Sequence, residues 1–221
     1  MRPKFSILHP TIRFPGWQSA WRAWIDRADH PEEIEYWLVV DAGDVDNIKP
    51  FWLAAHLLYN YGRACYVDAQ NAAARACTGQ FIITAADDWF PCPHWDTMLL
   101  DLVPDPLAIE AVVKVHAPHH SGLIIYPIMT RAYYAKPGRG GCPNGELFYP
   151  DYLSMGSDDD LTEYATRDGV VIDAPHMIFD HRHPSLGLSE MDEAYKHVQS
   201  EEAWLAKDIV LARRRKEGFT K

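Results

Sequence analysis

An α/β fold with a Rossmann-like first half is what this 221-residue chain predicts, on three observations. Apolar runs of strand length alternate with helix-forming segments over roughly the first 90 residues. Acids stand just beyond the ends of several of those runs, and Gly or Pro punctuates the changes of period. Alternation of this kind requires parallel strands joined by right-handed crossovers.

Taken in order, FSILHPT (5–11) is a short apolar strand that ends in turn residues. GWQSAWRAWIDRA follows as a helix with Trp17, Trp21 and Trp24 on one face, a stripe that belongs to a core. EIEYWLVVDAGD is a second strand, with Asp41 and Asp44 at and beyond its end. KPFWLAAHLLYNYG (49–62) is predicted as a helix closed by Gly62, and ACYVD (64–68) as a third strand. NAAARAC is a helix stopped by Gly79 in a left-handed conformation, and FIIT (81–84) is a buried strand.

Asp87 and Asp88 come directly after that strand, and Trp89, Pro91 and Pro93 stop it. The carboxyl ends of strands in an open α/β sheet border the ligand crevice, so the two acids stand at its lip. Adjacent hard oxygen donors suit Mg²⁺ or Mn²⁺, especially when a substrate phosphate completes the shell. The competing reading is a solvated turn with an Asp capping the next helix.

The second half changes texture. PHWDTMLLDLV is a helix, IEAVVKVHA and GLIIYPIMT are strands, and 138–155 is a Gly- and Pro-rich loop with the length of a mobile lid or acceptor loop. GSDDDLTEYATRDG is a helix with Ser157 as its cap and Asp158, Asp159 and Asp160 in its first turn, where the macrodipole alone accounts for acids. VVIDAP is a strand. FDHRHPSLGLS then carries His181 and His183 on one side of an extended turn, and 189–218 reads as one amphipathic helix.

The composition, 48% hydrophobic and 24% charged, is that of a globular domain with a full core. No apolar run reaches the roughly 20 residues of a membrane helix, and the N-terminal residues lack a signal-peptide pattern, so a cytoplasmic location is expected. A formal charge of −10 argues against an extended nucleic-acid contact, although a modified nucleic acid is not ruled out as an acceptor. The run Arg213–Lys216 suits a helix C-terminus. Cys65, Cys77, Cys92 and Cys142 form no CxxC pair, which predicts reduced thiols. Neither GxGxxG nor GxxxxGK[ST] is present, which disfavours dinucleotide and P-loop sites.

The order SILHPT, WLVVDAGD, the helix from Asn71 to Gly79, FIITAADDW, GSDDDL and DHRHP resembles the inverting, family-two glycosyltransferases of the glycosyltransferase A fold, over about residues 4–184. The resemblance implies one domain with a mostly parallel mixed sheet. Residues 1–100 would form its nucleotide-sugar half, 101–187 its acceptor half and 188–221 a C-terminal helix. It implies a metal-dependent transferase that moves a sugar from a nucleotide-sugar, with UDP the expected nucleotide, to a saccharide, protein or modified nucleic-acid hydroxyl.

Carried over by position, His9, Pro10 and Thr11 match the nucleobase turn, Asp41 or Asp44 the base-binding acid, and Asn71 the Asn of the helix before the metal strand. Asp87 and Asp88 match the metal motif, whose outer acid is Ala85 here, and His183 or else His181 matches a completing ligand. Asp158 matches the catalytic base, with Asp159 as the alternative. A non-catalytic sugar-nucleotide binding module and a nucleotidyltransferase stand as rival readings, with a metal-dependent hydrolase behind them.

Overall fold

The computed structural model of the chain describes residues 4–13, 16–43, 55–118 and 122–220. Its strands are β1 (Phe5–Pro10), β2 (Ile34–Asp41), β3 (Ala55–Asn60), β4 (Phe81–Thr84), β5 (Trp89–Phe90), β6 (Val112–His116), β7 (Ile128–Thr130), β8 (Val171–Ile178) and β9 (Asp180–His181). Between and after them run α1 (Trp17–Asp26), α2 (Tyr66–Ala76), α3 (Trp95–Leu102), α4 (Arg131–Tyr134), α5 (Ser157–Arg167), α6 (Glu193–Val198) and α7 (Glu201–Lys216).

Seven strands form one sheet in the order β3-β2-β1-β4-β7-β6-β8. The first four are mutually parallel, β7 is antiparallel to both neighbours, and β8 is parallel to β6. The sheet therefore runs without a break through both halves of the chain. Because β1 and β4 are covered on both faces, they read as continuous apolar runs. Phe5, Ile7, Phe81 and Ile83 face Trp24 of α1 and Trp95 of α3. Leu8 and Ile82 face Val67 and Ala73 of α2, Leu161 of α5 and Leu211 of α7. The tryptophan stripe is core as expected, with the Trp24 and Trp95 rings edge to face at 5.1 Å and the Trp95 N–H donating to the Trp24 carbonyl at 3.1 Å.

Several local expectations are corrected. Residues 55–60 form a strand, not a helix, because β2 offers them a parallel partner from Tyr36↔Ala55 to Asp41↔Asn60. Pairing overrides the helix propensity of AAHLL. Residues 49–54 of that predicted helix, and Asp44, lie outside the described residues. The predicted strand at 64–68 is instead the start of α2, where Asp68 accepts from the Arg63 amide at 2.8 Å. In the 122–130 run only Ile128–Thr130 is strand.

The 138–155 loop is not an open lid. Leu147, Phe148 and Tyr152 are buried in the core, and Asn71 holds the amides of Leu147 and Phe148 at 2.8 and 2.9 Å. Gly156, in the left-handed region, caps α5 in place of Ser157, whose hydroxyl donates to the Ser154 carbonyl at 2.7 Å. The C-terminal helix is two helices, since Asp192 caps α6 and Ser200 caps α7 by accepting from the amides of Tyr195 and Ala203.

Gly79 is required for a reason other than left-handed backbone. A Cβ there would lie 2.3 Å from Ser6 Oγ and 2.7 Å from the Ser6 backbone nitrogen. Its amide also donates to the buried Glu35 carboxylate at 2.9 Å. Gly79→Ala is expected to destabilise the protein by about 1–3 kcal/mol, because β1 must shift to admit the methyl. Urea unfolding with an unchanged m-value checks this, and a loss below about 0.5 kcal/mol refutes it.

Candidate active site

The ends of β1 and β4 are tied together before the site begins. The Ala85 amide donates to the Leu8 carbonyl at 2.8 Å, and the buried Gln70 amide of α2 reaches the Leu8 and Ala85 carbonyls at 3.3 and 3.4 Å. Beyond that clamp the chain turns tightly, with the Trp89 amide donating to the Ala86 carbonyl at 3.2 Å. Asp87 and Asp88 are the two central residues of this turn, so their carboxylates enter different surroundings. Ala85, where a third acid would complete a longer motif, is fully buried in the apolar cluster beneath the sheet.

Asp87 turns toward β1. His9 Nε2 lies 3.0 Å from one of its oxygens, while Thr11 Oγ1 and Arg13 Nη1 donate to the other at 3.0 and 3.3 Å. The buried His9 ring is fixed from behind by a short Tyr36 OH···Nδ1 hydrogen bond. Pro10 ends β1, and the Thr11 amide donates to Val39 at 3.0 Å, so the predicted turn residues do border the acid pair. Asp41, at the end of β2, accepts from the Asn60 amide at 2.7 Å. Asn71 is committed to the 147–148 backbone. A hollow of about 460 Å³ whose wall includes Asn60, Arg63, Asn71 and Arg75 does not include the acid pair.

Asp88 turns the other way. Pairing of β5 with β9 sets Trp89 opposite His181, and the Arg182 amide donates to the Asp88 carbonyl at 2.8 Å. His181 Nε2 thereby comes within 3.3 Å of Asp88 Oδ2, and the same oxygen accepts from Tyr195 OH at 2.6 Å. Tyr126 OH donates to Oδ1 at 3.3 Å. Burial pushes the Asp88 carboxyl up, but hydrogen bonds from His181 and Tyr195, with the nearby Arg13 charge, hold it below its ordinary value. The phenols of Tyr126 and Tyr195 are pushed up, by burial first and by the Asp88 charge second, so both are hydrogen-bond donors.

His183 stands one step back. Its Nδ1 is 2.8 Å from the Ser185 hydroxyl, its Nε2 is 3.2 Å from the Gln199 amide, and its ring centre is 5.3 Å from that of His181. Among the described residues no three potential ligands converge on one point. The acids and histidines named from the sequence thus meet in part: Asp88 with His181, and Asp87 with His9, Thr11 and Arg13.

The acids that open α5 are sorted by the C-terminal helix. Asp160 is buried against Arg214, with Nε to Oδ1 at 2.9 Å, and Asp159 pairs with Lys207 at 2.9 Å. Asp158 takes neither cation. Burial, and then the Asp159 charge, raise its pKa above the ordinary 3.8. Tyr66, at the start of α2, feels both the Asp158 and the Asp88 charges, on top of the burial that chiefly raises its own pKa. Tyr126, Tyr195 and Asp192 carry no signal in the sequence that ties them to the acid pair, and Arg13 is marked only by its position after the β1 turn.

No protein-family model matches the chain, and no curated protein matches it in sequence. Solved structures do match in fold. S. aureus TarS superposes with a TM-score of 0.56 at 13% identity, over 98% of this chain and 44% of that one. The mannosyltransferase PcManGT from Pyrobaculum calidifontis, in complex with GDP-Man and Mn²⁺, gives a TM-score of 0.56 at 16% identity, over 96% of this chain and 74% of that one. GalNAc-T7 with UDP, GalNAc and Mn²⁺ gives 0.59 at 11% identity, over 81% and 44%. This chain spans 44% to 64% of the length of the TarS structures that it matches.

Proposed function

From the glycosyltransferase A fold that this chain adopts, we propose a nucleotide-sugar-dependent glycosyltransferase that inverts the anomeric centre. What supports this reading is the mixed seven-stranded sheet of that fold, with Asp88 in the turn after β4 and Asp158 at the start of α5. In this reading Asp88 serves the nucleotide side and Asp158, whose pKa is raised, serves the acceptor side. Asp158 takes the proton of an acceptor hydroxyl as its oxygen attacks the anomeric carbon. The bond from that carbon to the diphosphate breaks with its electron pair leaving on the nucleoside diphosphate. A single displacement inverts the centre. A base whose pKa lies closer to neutrality than that of a free Asp is better matched to proton transfer.

Asp88 and His181, an oxygen and a nitrogen donor 3.3 Å apart, suit Mn²⁺ or Mg²⁺ of the kind held by one or two protein groups plus substrate phosphates. Such an ion would neutralise charge on the departing diphosphate. Asp87 fits an ion less well, because His9, Thr11 and Arg13 already engage its oxygens. The acceptor class is a hydroxyl-bearing molecule. Among the described residues no helix is long and apolar enough to cross a membrane.

Thermal unfolding with UDP, GDP, CDP and dTDP, each with EDTA and with Mn²⁺, tests the reading. One nucleotide at 100-fold over its Kd is expected to stabilise the protein by about 2.7 kcal/mol. Its Mn²⁺-dependent part should vanish in Asp88→Ala. No stabilisation by any of the eight mixtures, or a retained anomeric configuration in the product, overturns it.

A further inference from the structure

We propose that Arg13 is the diphosphate-anchoring cation of this site and that Asp192 occupies its place until the donor arrives. The inference rests on the transferase reading and assigns it a residue on the loop after β1.

The Arg13 guanidinium is shared. Nη1 reaches Asp87 at 3.3 Å, while Nε and Nη2 form a two-pronged contact with Asp192 at 2.7 and 3.2 Å. That fork is the geometry in which guanidinium groups recognise phosphate as well as carboxylate. Asp192 thus presents Arg13 with the same pair of oxygens that a phosphate would. Both side chains are reached by solvent, 30% and 41% exposed, so one anion can be exchanged for another without opening the core.

The segment that carries Asp192 covers the second acid as well. Tyr195, one turn later, donates to Asp88 at 2.6 Å, and the Arg13 guanidinium stacks on its ring at 4.4 Å. Gln199, just beyond α6, meets His183 at 3.2 Å. Asp192, Tyr195 and Gln199 therefore form a latch over the acid pair, held by polar contacts and by ring contacts of Tyr195.

Charge gives the latch its direction. With Asp192 in place, two carboxylates engage one guanidinium, and an entering diphosphate is repelled. Once Asp192 leaves, the same diphosphate gains a bidentate partner and loses a like charge. Swinging the segment away also takes the Tyr195 hydroxyl off Asp88, which frees that carboxylate for the donor end of the reaction.

The test separates charge from structure. Asp192 caps α6 by accepting from the Tyr195 amide at 2.9 Å, and Asn caps as well as Asp, so Asp192→Asn removes the charge and keeps the cap. Calorimetric titration with UDP and with GDP, in EDTA and in Mn²⁺, should show Asp192→Asn binding the favoured nucleotide about tenfold more tightly than wild type in EDTA. Arg13→Gln should bind it at least about tenfold more weakly in both conditions. Hydrogen exchange should show amides 193–199 opening when wild type takes up nucleotide, and already open in Asp192→Asn. Circular dichroism confirms that each variant folds, and Arg13→Lys, which retains charge without the fork, should recover only part of the affinity.

Wild-type binding that is unchanged in both Asp192→Asn and Arg13→Gln overturns this inference and leaves the transferase reading standing. Nucleotide uptake that leaves 193–199 protected overturns it too. Absence of binding to wild type under every condition removes both.

Discussion

Asp158→Asn is expected to lower sugar transfer by about 10³-fold while nucleoside diphosphate binding stays within about twofold of wild type. The asymmetry follows from position, since Asp158 opens α5, whereas the nucleotide is proposed to bind at the strand-end turn of Asp87 and Asp88. The pH profile carries the same signature. Burial first, and Asp159 second, raise the Asp158 pKa above 3.8, so the acid limb of the wild-type rate should fall at a higher pH than a free aspartate would give. Asp158→Asn should abolish that limb.

Stability moves in the opposite sense. A carboxyl whose folded pKa is raised favours the protonated native state, and ionising it as pH climbs past its unfolded value costs stability. The variant should therefore unfold at a higher temperature than wild type at neutral pH, and the advantage should vanish once the pH falls below 3.8, where both forms are neutral. A variant with intact transfer, or one with no gain in stability over wild type at pH 7 relative to pH 3, would remove Asp158 from the role and leave Asp159 to be tested. Asp159 already has a job, pairing with Lys207 at 2.9 Å.

What could be read without the structure follows a physical division. β1, β2 and β4 are legible because strands covered on both faces are mostly apolar, and α5 is legible because acids collect at a helix start. β3 was not legible, since AAHLL contains good helix formers and only the neighbouring backbone of β2 decides otherwise. The acid turn was legible as a place but not as a network. Its sequence says that two carboxylates are adjacent; that the turn sends them apart, to Arg13 and to Tyr195, depends on the 86–89 turn and on a partner 107 residues away from Asp88. His183 and His181 differ for the same reason, because β9 pairs with β5 and sets His181, rather than His183, across from Trp89.

The C-terminal helix has a consequence for the site that its basic run hides. Arg213 pairs with Asp151 and Arg215 with Glu163 at the surface, where such pairs contribute little. Arg214 is different. It is fully buried against Asp160, donates to the Gly140 carbonyl, and stacks on Tyr149 with its guanidinium 3.8 Å from the ring centre. Arg214→Met fills much of the same space with no charge and leaves Asp160 buried without its cation. That is the costly way to break an ion pair, and a loss of about 3–5 kcal/mol is expected.

The sign with pH is fixed by the carboxyl left behind. Burial already pushes the Asp160 pKa up, and Arg214 is the chief influence pulling it back. Without Arg214 the pKa rises further, so the loss should be largest above neutrality and shrink as acid protonates Asp160. Arg214→Met combined with Asp160→Asn should recover part of the stability, because an amide needs hydrogen bonds but no counter-charge. Denaturant unfolding at pH 8 and at pH 5 measures all three. A loss below about 1 kcal/mol for Arg214→Met, or one that grows as the pH falls, would mean that α7 is held by its apolar contacts alone. The ion pair matters to the chemistry because it joins α7 to the first turn of α5. With Asp160 held by Arg214 and Asp159 by Lys207, the fold commits two of the three adjacent acids to structure, and Asp158 is the one left for the proposed base.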